Sequence, residues 1–412
     1  QYNQAHAHLP GHIGPQRETG GKPIERGCQR DSAVQPVVDL TPLEIGIGRN
    51  RQRNCQAPEQ QVTKFDVRHY RPPDNRSLSK RQDLPKSNYP QEAGISQELK
   101  ASERREIPAA AIESLWHAGD GHPVRRIDWP QPKGSAKGSI LFLQGRADFY
   151  EKYLDVMAHW HRAGWQVTGS DWRGQGGSGR LGADAVTGHI DDYGTWVDDL
   201  ALLWERWKAE TPGPHVLAGH SMGGHLVLRA AAEGRVDPDG IILAAPMLGF
   251  AASVLPVPVM HLIAKVMTWV GDPRRPAWKW SDKPGVPPDS RAGLLTHDAM
   301  RYQDELFWRE KRPELVTGPG SWGWVERGYA STRLLAVPGV LEAVRIPVLM
   351  LGTDNDKLVA FTPIAKAAQR LPNCELVRFG KESHHEILRE ADAVRGRALA
   401  ACDAFLERIA AR

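Results

Sequence analysis

The sequence predicts an α/β fold in which helices cover both faces of a mostly parallel sheet. From about residue 106 onward, short apolar segments alternate with longer segments of helical periodicity. The short segments are continuously apolar, as in strands that are buried on both faces. One long segment, at about 247–346, interrupts the alternation. The chain is therefore predicted to form one domain over 106–412 with a large insertion.

The elements of this domain follow from local patterns. Segments that are short, apolar and end at glycine or a polar residue are predicted as strands: 139–145, 165–171, 215–220, 240–246, 346–352 and 374–380. Segments of helical spacing are predicted as helices: 150–164, 195–210, 226–234, 361–371 and a last one from about Glu386. In the first helix Tyr153, Met157 and Trp160 share one face, and Gly164 marks its end. Such alternation indicates parallel strands joined by crossover helices.

Residues 1–105 differ in composition from the rest of the chain. All 14 Trp and all 7 Met lie after residue 115, and the first 105 residues show little apolar periodicity. A segment that cannot bury a core of useful size is expected to be disordered. We therefore predict a disordered N-terminal extension over 1–105.

The positive charge of the chain lies in this extension. The formal net charge is +4, and residues 1–105 hold 17 Lys and Arg against 12 Asp and Glu, whereas residues 106–412 hold 36 against 37. The basic residues are scattered without a run of like charge. No nucleic-acid partner is therefore expected.

The sequence also bears on the compartment of the protein. No basic start is followed by an apolar run of signal-peptide length, and proline, histidine and lysine interrupt the apolar stretch from Phe250 to Val270. The four cysteines lack the paired spacing of metal or redox motifs. We expect a reduced, cytoplasmic protein.

The segment HVLAGHSMGGHLVLRAAA, residues 215–232, places Ser221 between a predicted strand and a predicted helix. Gly219, Ser221 and Gly223 form a G-x-S-x-G motif, the pattern of a nucleophile elbow. The turn is so tight that a side chain at either glycine would collide with neighbouring elements, and the serine must accept strained backbone angles. The motif alone is weak, but its strand and helix flanks predict that Ser221 is a nucleophile.

A serine nucleophile needs a histidine base and a carboxylate that orients the base. In this fold the three residues occur in the order serine, acid, histidine, and the last two lie in loops after late strands. The loop after 346–352 offers Asp354 and Asp356, and the loop after 374–380 offers His384 and His385. The residues by themselves leave both choices open.

A series of motifs runs in a fixed order from about Ser139 to Ala410: GRADFYEKY, DWRGQGGSGR, GHSMGG, APMLG, LTHD, GSWGW, DKLV and HHEIL. This series resembles the monoacylglycerol lipase and lysophospholipase group of α/β-hydrolases (serine aminopeptidase S33-like), most closely its bacterial lysophospholipase branch. The family's acid precedes a basic residue and two aliphatics, so the resemblance implies Asp356. Its histidine precedes glutamate and an aliphatic pair, which implies His385. Asp354 and His384 are the alternatives.

The backbone donors of an oxyanion hole are predicted at two positions. One is the amide of Met222, the residue after the nucleophile. The resemblance implies that the other is the amide of Arg146, where this chain has Gln-Gly in place of the family's usual His-Gly. No substrate contact is assigned to the Arg146 side chain, which is interpreted as a surface charge.

The resemblance also implies a function. The insertion at 247–346 would be a lid over the active site, suited to an acyl chain and to peripheral contact with the inner face of a membrane. The expected activity is hydrolysis of a lipid carboxylic ester, a lysophospholipid or a monoacylglycerol, through an acyl-enzyme intermediate. Alternatives are an esterase or peptidase acting on another small acyl substrate, and a non-catalytic binding protein on a hydrolase scaffold. No metal and no organic cofactor is predicted.

Overall fold

An eight-stranded sheet lies at the centre of the structure, a computed structural model that describes residues 100–251, 255–279 and 289–412. The strand order is β1-β2-β4-β3-β5-β6-β7-β8. The strands are β1 Ile112–His117, β2 Pro123–Trp129, β3 Ser139–Leu143, β4 Gln166–Ser170, β5 His215–His220, β6 Gly240–Ala244, β7 Val348–Thr353 and β8 Cys374–Phe379. From β4 to β8 every neighbouring pair is parallel, whereas β2 pairs antiparallel with both β1 and β4.

Ten α-helices lie in the described ranges: α1 Ala101–Arg104, α2 Leu154–Arg162, α3 Tyr193–Glu210, α4 Met222–Ala232, α5 Val257–Trp269, α6 Asp289–Leu295, α7 Ala299–Lys311, α8 Trp322–Ala336, α9 Phe361–Arg370 and α10 Asp392–Ala410. Every residue of β3, β5, β6 and β7 is buried. Side chains of a strand point alternately to the two faces, so both faces of the central sheet are covered. The predicted fold class is confirmed.

The six predicted strands correspond to β3–β8, but the sequence analysis missed β1 and β2. These two antiparallel strands form one edge of the sheet. Only Val124, Ile127 and Trp129 of β2 are buried, and β1 has no buried residue. Half-exposed edge strands with many polar residues lack the continuous apolar run that identified the others.

The last helix was predicted from about Glu386 and begins instead at Asp392. Residues 387–389 form a short 3-10 turn, and the two residues after it are extended. The Glu390 side chain accepts hydrogen bonds from the amides of His384 and Ala391, at 2.6 and 3.0 Å. A side chain that binds its own neighbouring amides competes with helix formation.

The segment just before the predicted domain boundary packs against the insertion. Within it α1 brings Arg104 and Arg105 to the buried carboxylate of Asp304 in α7, at 2.5 and 2.7 Å. The indole of Trp308 donates to the Arg104 carbonyl at 3.1 Å. Packed structure thus begins by residue 100, before the predicted boundary at 106, and residues 1–99 of the predicted extension lie outside the described residues.

The insertion joins β6 to β7 and contains α5–α8. Its central helices pack on the body: α8 contacts α3 and α4, and α7 contacts the 3-10 turn Tyr150–Tyr153 that leads into α2. The amide of Glu386 donates to the carbonyl of Leu295 at the end of α6, at 2.8 Å. The insertion therefore reaches the loop that carries His385.

Candidate active site

Ser221 lies on a strained turn between β5 and α4. Its backbone angles are φ 51° and ψ −117°, in a left-handed region that a serine rarely adopts. A β-carbon on Gly223 would come within 2.2 Å of the Leu143 carbonyl oxygen, and one on Gly219 within 2.7 Å of the Gly224 amide nitrogen. Only glycine permits these approaches, as the sequence predicts. The turn places Ser221 at the C-terminal end of a central strand.

His385 and Asp356 are hydrogen-bonded to each other. His385 Nδ1 lies 2.6 Å from Asp356 Oδ2, and both side chains are buried. The other carboxylate oxygen accepts from the amides of Leu358 and Val359, at 2.8 and 3.0 Å. An ionised carboxylate only accepts, so the proton of this bond belongs to Nδ1. This leaves Nε2 of His385 as the nitrogen that can take up a proton.

The alternative acid and histidine occupy other surroundings. Asp354 forms an exposed ion pair with Arg378 at 2.5 Å. The His384 ring stacks on His297, with ring centroids 3.7 Å apart. Of the two candidates in each loop, the structure pairs Asp356 with His385.

The charge states of the pair depend on each other. Burial alone would lower the pKa of His385, but the charge of Asp356 and the hydrogen bond to it raise the pKa above its usual value. Burial would likewise raise the pKa of Asp356, but His385 and two backbone amides lower it. The carboxylate therefore stays ionised and favours the protonated form of the imidazole.

His385 lies next to the turn that carries Ser221. The ring of His220, the residue before the serine, is 4.7 Å from the ring of His385. His220 Nδ1 donates to the Ala244 carbonyl at 3.2 Å. Burial and the positive charge of His385 lower the pKa of His220 to about 3. His220 is thus a neutral residue that packs beside the candidate base His385, a position that no sequence pattern indicated.

The two predicted oxyanion donors flank Ser221. Met222 is the first residue of α4, where the helix dipole favours negative charge. Arg146 follows Gly145, at which a β-carbon would be only 3.0 Å from the Ser221 β-carbon. In the part of the chain that the structure describes, neither amide donates a hydrogen bond to a protein group. Both are thus open donors next to the serine.

A buried ion network links three segments around the site. The Lys152 ammonium lies 2.6 Å from Asp148, 2.9 Å from Glu305 and 2.5 Å from Glu386, and none of these side chains is exposed. Asp148 follows the Arg146 loop, Glu305 belongs to α7, and Glu386 follows the candidate base. The network therefore ties the insertion to the loop of Arg146 and to the loop of His385. Its members lie far apart in the chain, so no local sequence pattern indicates the network.

One group of His and Glu side chains in the described ranges, His297, His384 and Glu390, has its ligand atoms within 4.8 Å of one another. Glu390 Oε1 already accepts from His297 Nδ1 at 3.0 Å. The two imidazoles are stacked with an interplanar angle of 27°, so the lone pairs in their ring planes run side by side and do not converge. This arrangement does not fit the tetrahedral ligand set that zinc prefers.

A comparison with known families settles the relationship of the chain. The sequence profile of the family described as serine aminopeptidase, S33 matches residues 134–392, more than half of the chain. The chain belongs to the serine aminopeptidase S33 family. The resemblance inferred from the motifs is thereby confirmed.

Several proteins are similar to this S33 chain. Lysophospholipase L2 of Escherichia coli strain K12 is 30% identical over 287 residues, which span 65% of this chain and 80% of that protein. Monoacylglycerol lipase of Mycolicibacterium smegmatis is 24% identical over 266 residues, or 63% of this chain and 85% of the relative.

The solved structures show the same fold. A soluble variant of monoglyceride lipase from Saccharomyces cerevisiae, in complex with a substrate analog, matches with a TM-score of 0.59 at 19% identity. The match covers 73% of this chain and 96% of the yeast chain.

Within the described ranges, no helix combines the length and the apolar character that crossing a bilayer requires.

Proposed function

We propose that the chain is a serine hydrolase that cleaves carboxylic esters of lipids through an acyl-enzyme intermediate. The observation that carries this proposal is the buried 2.6 Å hydrogen bond between His385 and Asp356 beside the strained turn at Ser221. A serine hydroxyl is a weak nucleophile near neutral pH and needs such an oriented base. The names of the relatives, lysophospholipase and monoacylglycerol lipase, favour a lysophospholipid or a monoacylglycerol as the substrate.

The proposed mechanism assigns one role to each of these residues. Ser221 Oγ attacks the ester carbonyl carbon while Nε2 of His385 takes the hydroxyl proton, and Asp356 stabilises the imidazolium. The amides of Met222 and Arg146 donate to the oxyanion. When the intermediate collapses, the alcohol leaves with the proton from His385 and the acyl group stays on the serine. Water, deprotonated by the same histidine, then releases the fatty acid.

A substrate panel tests this proposal. At matched concentrations, lysophosphatidylcholine, a monoacylglycerol, a short nitrophenyl ester and an aminoacyl nitroanilide would be compared by kcat/KM. We expect the lipid esters to be hydrolysed most efficiently. Preference for the nitroanilide would favour a peptidase, and preference for the short ester an esterase of small acyl substrates. Turnover of none of them would favour a binding protein.

The activity is expected to fall in acid. His385 accepts a proton only when it is neutral, and its pKa is raised by Asp356. The kcat/KM should therefore drop as the pH falls through a midpoint above about 6.5, the usual value for histidine. In Asp356→Asn the charge that raises the pKa is gone, so the midpoint of the residual activity should move to lower pH.

A matched control separates this shift of the pH midpoint from the effect of changing the net charge of the protein. Asp354→Asn removes an equal charge from an exposed ion pair with Arg378, and its midpoint should equal that of the unmodified chain. A profile measured between about pH 5 and pH 9 brackets the transition. An unshifted midpoint in Asp356→Asn would argue against the assigned pair.

We further propose that α5 contacts a lipid surface. Only His261 and Ala264 of this helix are buried, whereas Leu262 is 61% and Trp269 86% exposed. Exposed apolar side chains clustered on one helix of a soluble body mark an interaction surface. A lipid-ester hydrolase meets its substrate at a membrane or micelle, which is the surface this helix fits.

Charged substitutions on α5 test the membrane contact. Leu262→Asp and Trp269→Asp together should weaken co-sedimentation with phosphatidylcholine vesicles by about tenfold or more, because each removes apolar area from the lipid contact. Ile112→Asp, at an exposed apolar residue of the edge strand β1, is the control and should bind as the unmodified chain does. Equal binding by all three proteins would contradict the proposal.

A further inference from the structure

The Arg146 side chain is half-buried against the insertion, so it is not the plain surface charge that the sequence suggested. Its Nη1 donates to the Gly318 carbonyl at 2.9 Å. The guanidinium lies 5.3 Å from the ring centre of Trp278 and 5.2 Å from that of Trp324. Two aromatic rings and a carbonyl therefore hold one cation in place.

Among the described residues, no carboxylate forms an ion pair with Arg146. The neighbouring charges are matched among themselves: the buried Lys152 and Arg389 and the half-buried Arg291 pair with the carboxylates Asp148, Glu305 and Glu386. Burial, together with the positive charge of Arg291, lowers the pKa of Arg146 to about 10. Arg146 is thus charged at neutral pH, and the nearby charge of Asp148, which acts on it without an ion pair, is already paired with Lys152.

Removing part of a cation from water without an ion-pair partner is unfavourable, and a bound anion would offset this cost. The planar guanidinium matches the geometry of phosphate oxygens and can donate two parallel hydrogen bonds to them. Its Nη1 is engaged by a neutral carbonyl, so the charge itself is not compensated.

The length of the Arg146 side chain is compatible with contact to the headgroup of a substrate bound at Ser221. Arg146 belongs to the loop whose Gly145 packs against Ser221. An extended arginine side chain holds its guanidinium about 6–7 Å from its α-carbon, and the phosphorus of a lysophospholipid lies roughly six bonds from the ester carbonyl carbon. The two lengths are comparable.

A cleft provides room beyond the phosphate. Its volume is about 530 Å³, and Trp278, which flanks Arg146, forms part of its wall together with Pro319, the residue after the Gly318 carbonyl. Arg146 itself is not part of the wall, but the indole of Trp278 lies between the two, so the cleft adjoins the surroundings of the guanidinium and offers room for the remainder of a headgroup.

We propose that Arg146 binds the phosphodiester of a lysophospholipid headgroup and makes the site prefer lysophospholipids to uncharged monoacylglycerols. This inference rests on the proposed lipid-ester hydrolase activity. It assigns the Arg146 side chain to substrate specificity and leaves its backbone amide as the oxyanion donor.

Selectivity kinetics test the inference. The kcat/KM for decanoyl lysophosphatidylcholine is divided by that for decanoyl monoglycerol, both below their critical micelle concentrations. Arg146→Gln should lower this ratio by about ten- to hundredfold, the effect of losing a charge-assisted hydrogen bond to an anion. Arg146→Lys, which keeps the charge but not the paired donors, should lower the ratio less. Arg274→Gln, at an exposed arginine of the same insertion, should leave the ratio unchanged.

The outcomes separate this inference from the proposed function. If the unmodified chain hydrolyses neither lipid, the proposed function fails. If it hydrolyses both, and both substitutions of Arg146 reduce the two activities equally, the side chain only ties the loop to the insertion and the inference is overturned. Should Arg146→Gln fail to fold, the ratio measured for Arg146→Lys decides, because a fall supports phosphate binding and an unchanged ratio contradicts it.

Discussion

Replacing Ser221 by alanine is expected to abolish turnover while the protein folds and still binds its substrate. The hydroxyl is the atom that would be acylated, and removing one member of such a triad lowers kcat by at least about 10³-fold. Alanine keeps the β-carbon, so the backbone strain at φ 51° is nearly unchanged. Measurement of kcat with a lipid ester, together with a thermal melt, tests both parts.

The thermal melt is the control for the loss of turnover in Ser221→Ala. A Ser221→Ala protein that melts with the unmodified chain but has lost turnover supports the nucleophile. Activity equal to that of the unmodified chain would exclude a covalent intermediate on Ser221, and with it the mechanism proposed for this site.

The second large effect concerns the acid and the base, each of which has a neighbour as its matched control. His385→Ala and Asp356→Asn should each lower kcat by about 10³–10⁴-fold, because the base is lost in one and no longer oriented as a base in the other. His384→Ala and Asp354→Asn should be mild, since His384 stacks on His297 and Asp354 pairs with Arg378.

The relative loss of kcat within each pair of neighbours decides which histidine is the base and which aspartate is the acid. If His384→Ala were more damaging than His385→Ala, the base would be misplaced by one residue despite its 2.6 Å bond to Asp356. Melting curves of all four proteins separate loss of chemistry from loss of fold, because His384 is buried and its removal leaves a small cavity.

The elbow could be predicted from the sequence because its constraints are local. The approach of Gly223 to the backbone of β3 follows from a tight strand-to-helix turn, and the glycine spacing around Ser221 records that turn. Choosing between Asp354 and Asp356 needed the family resemblance, since both follow the same strand. The ion pair of Asp354 with Arg378 in β8 could not be deduced from either loop alone.

Other features of the structure could not be predicted, because they depend on contacts between residues that are distant in the sequence. The surroundings of Arg146 come from Gly318, Trp278 and Trp324 in the insertion, and no local pattern relates these positions. The edge strand β1 and its neighbour β2 lack a buried apolar run, and α1 is held by contacts to α7. Local periodicity predicts elements that bury a continuous apolar run. No such run is present in β1, β2 or α1.

Locating a covalent adduct tests whether Ser221 is the residue that becomes acylated. The unmodified chain would be treated with a fluorophosphonate probe, weighed by intact-mass spectrometry, digested and mapped. We expect a single adduct, carried by the peptide that contains Ser221, and markedly slower labelling of His385→Ala, because the serine is activated by its base. An adduct on a different residue, or labelling of Ser221→Ala at the same rate, would contradict the account.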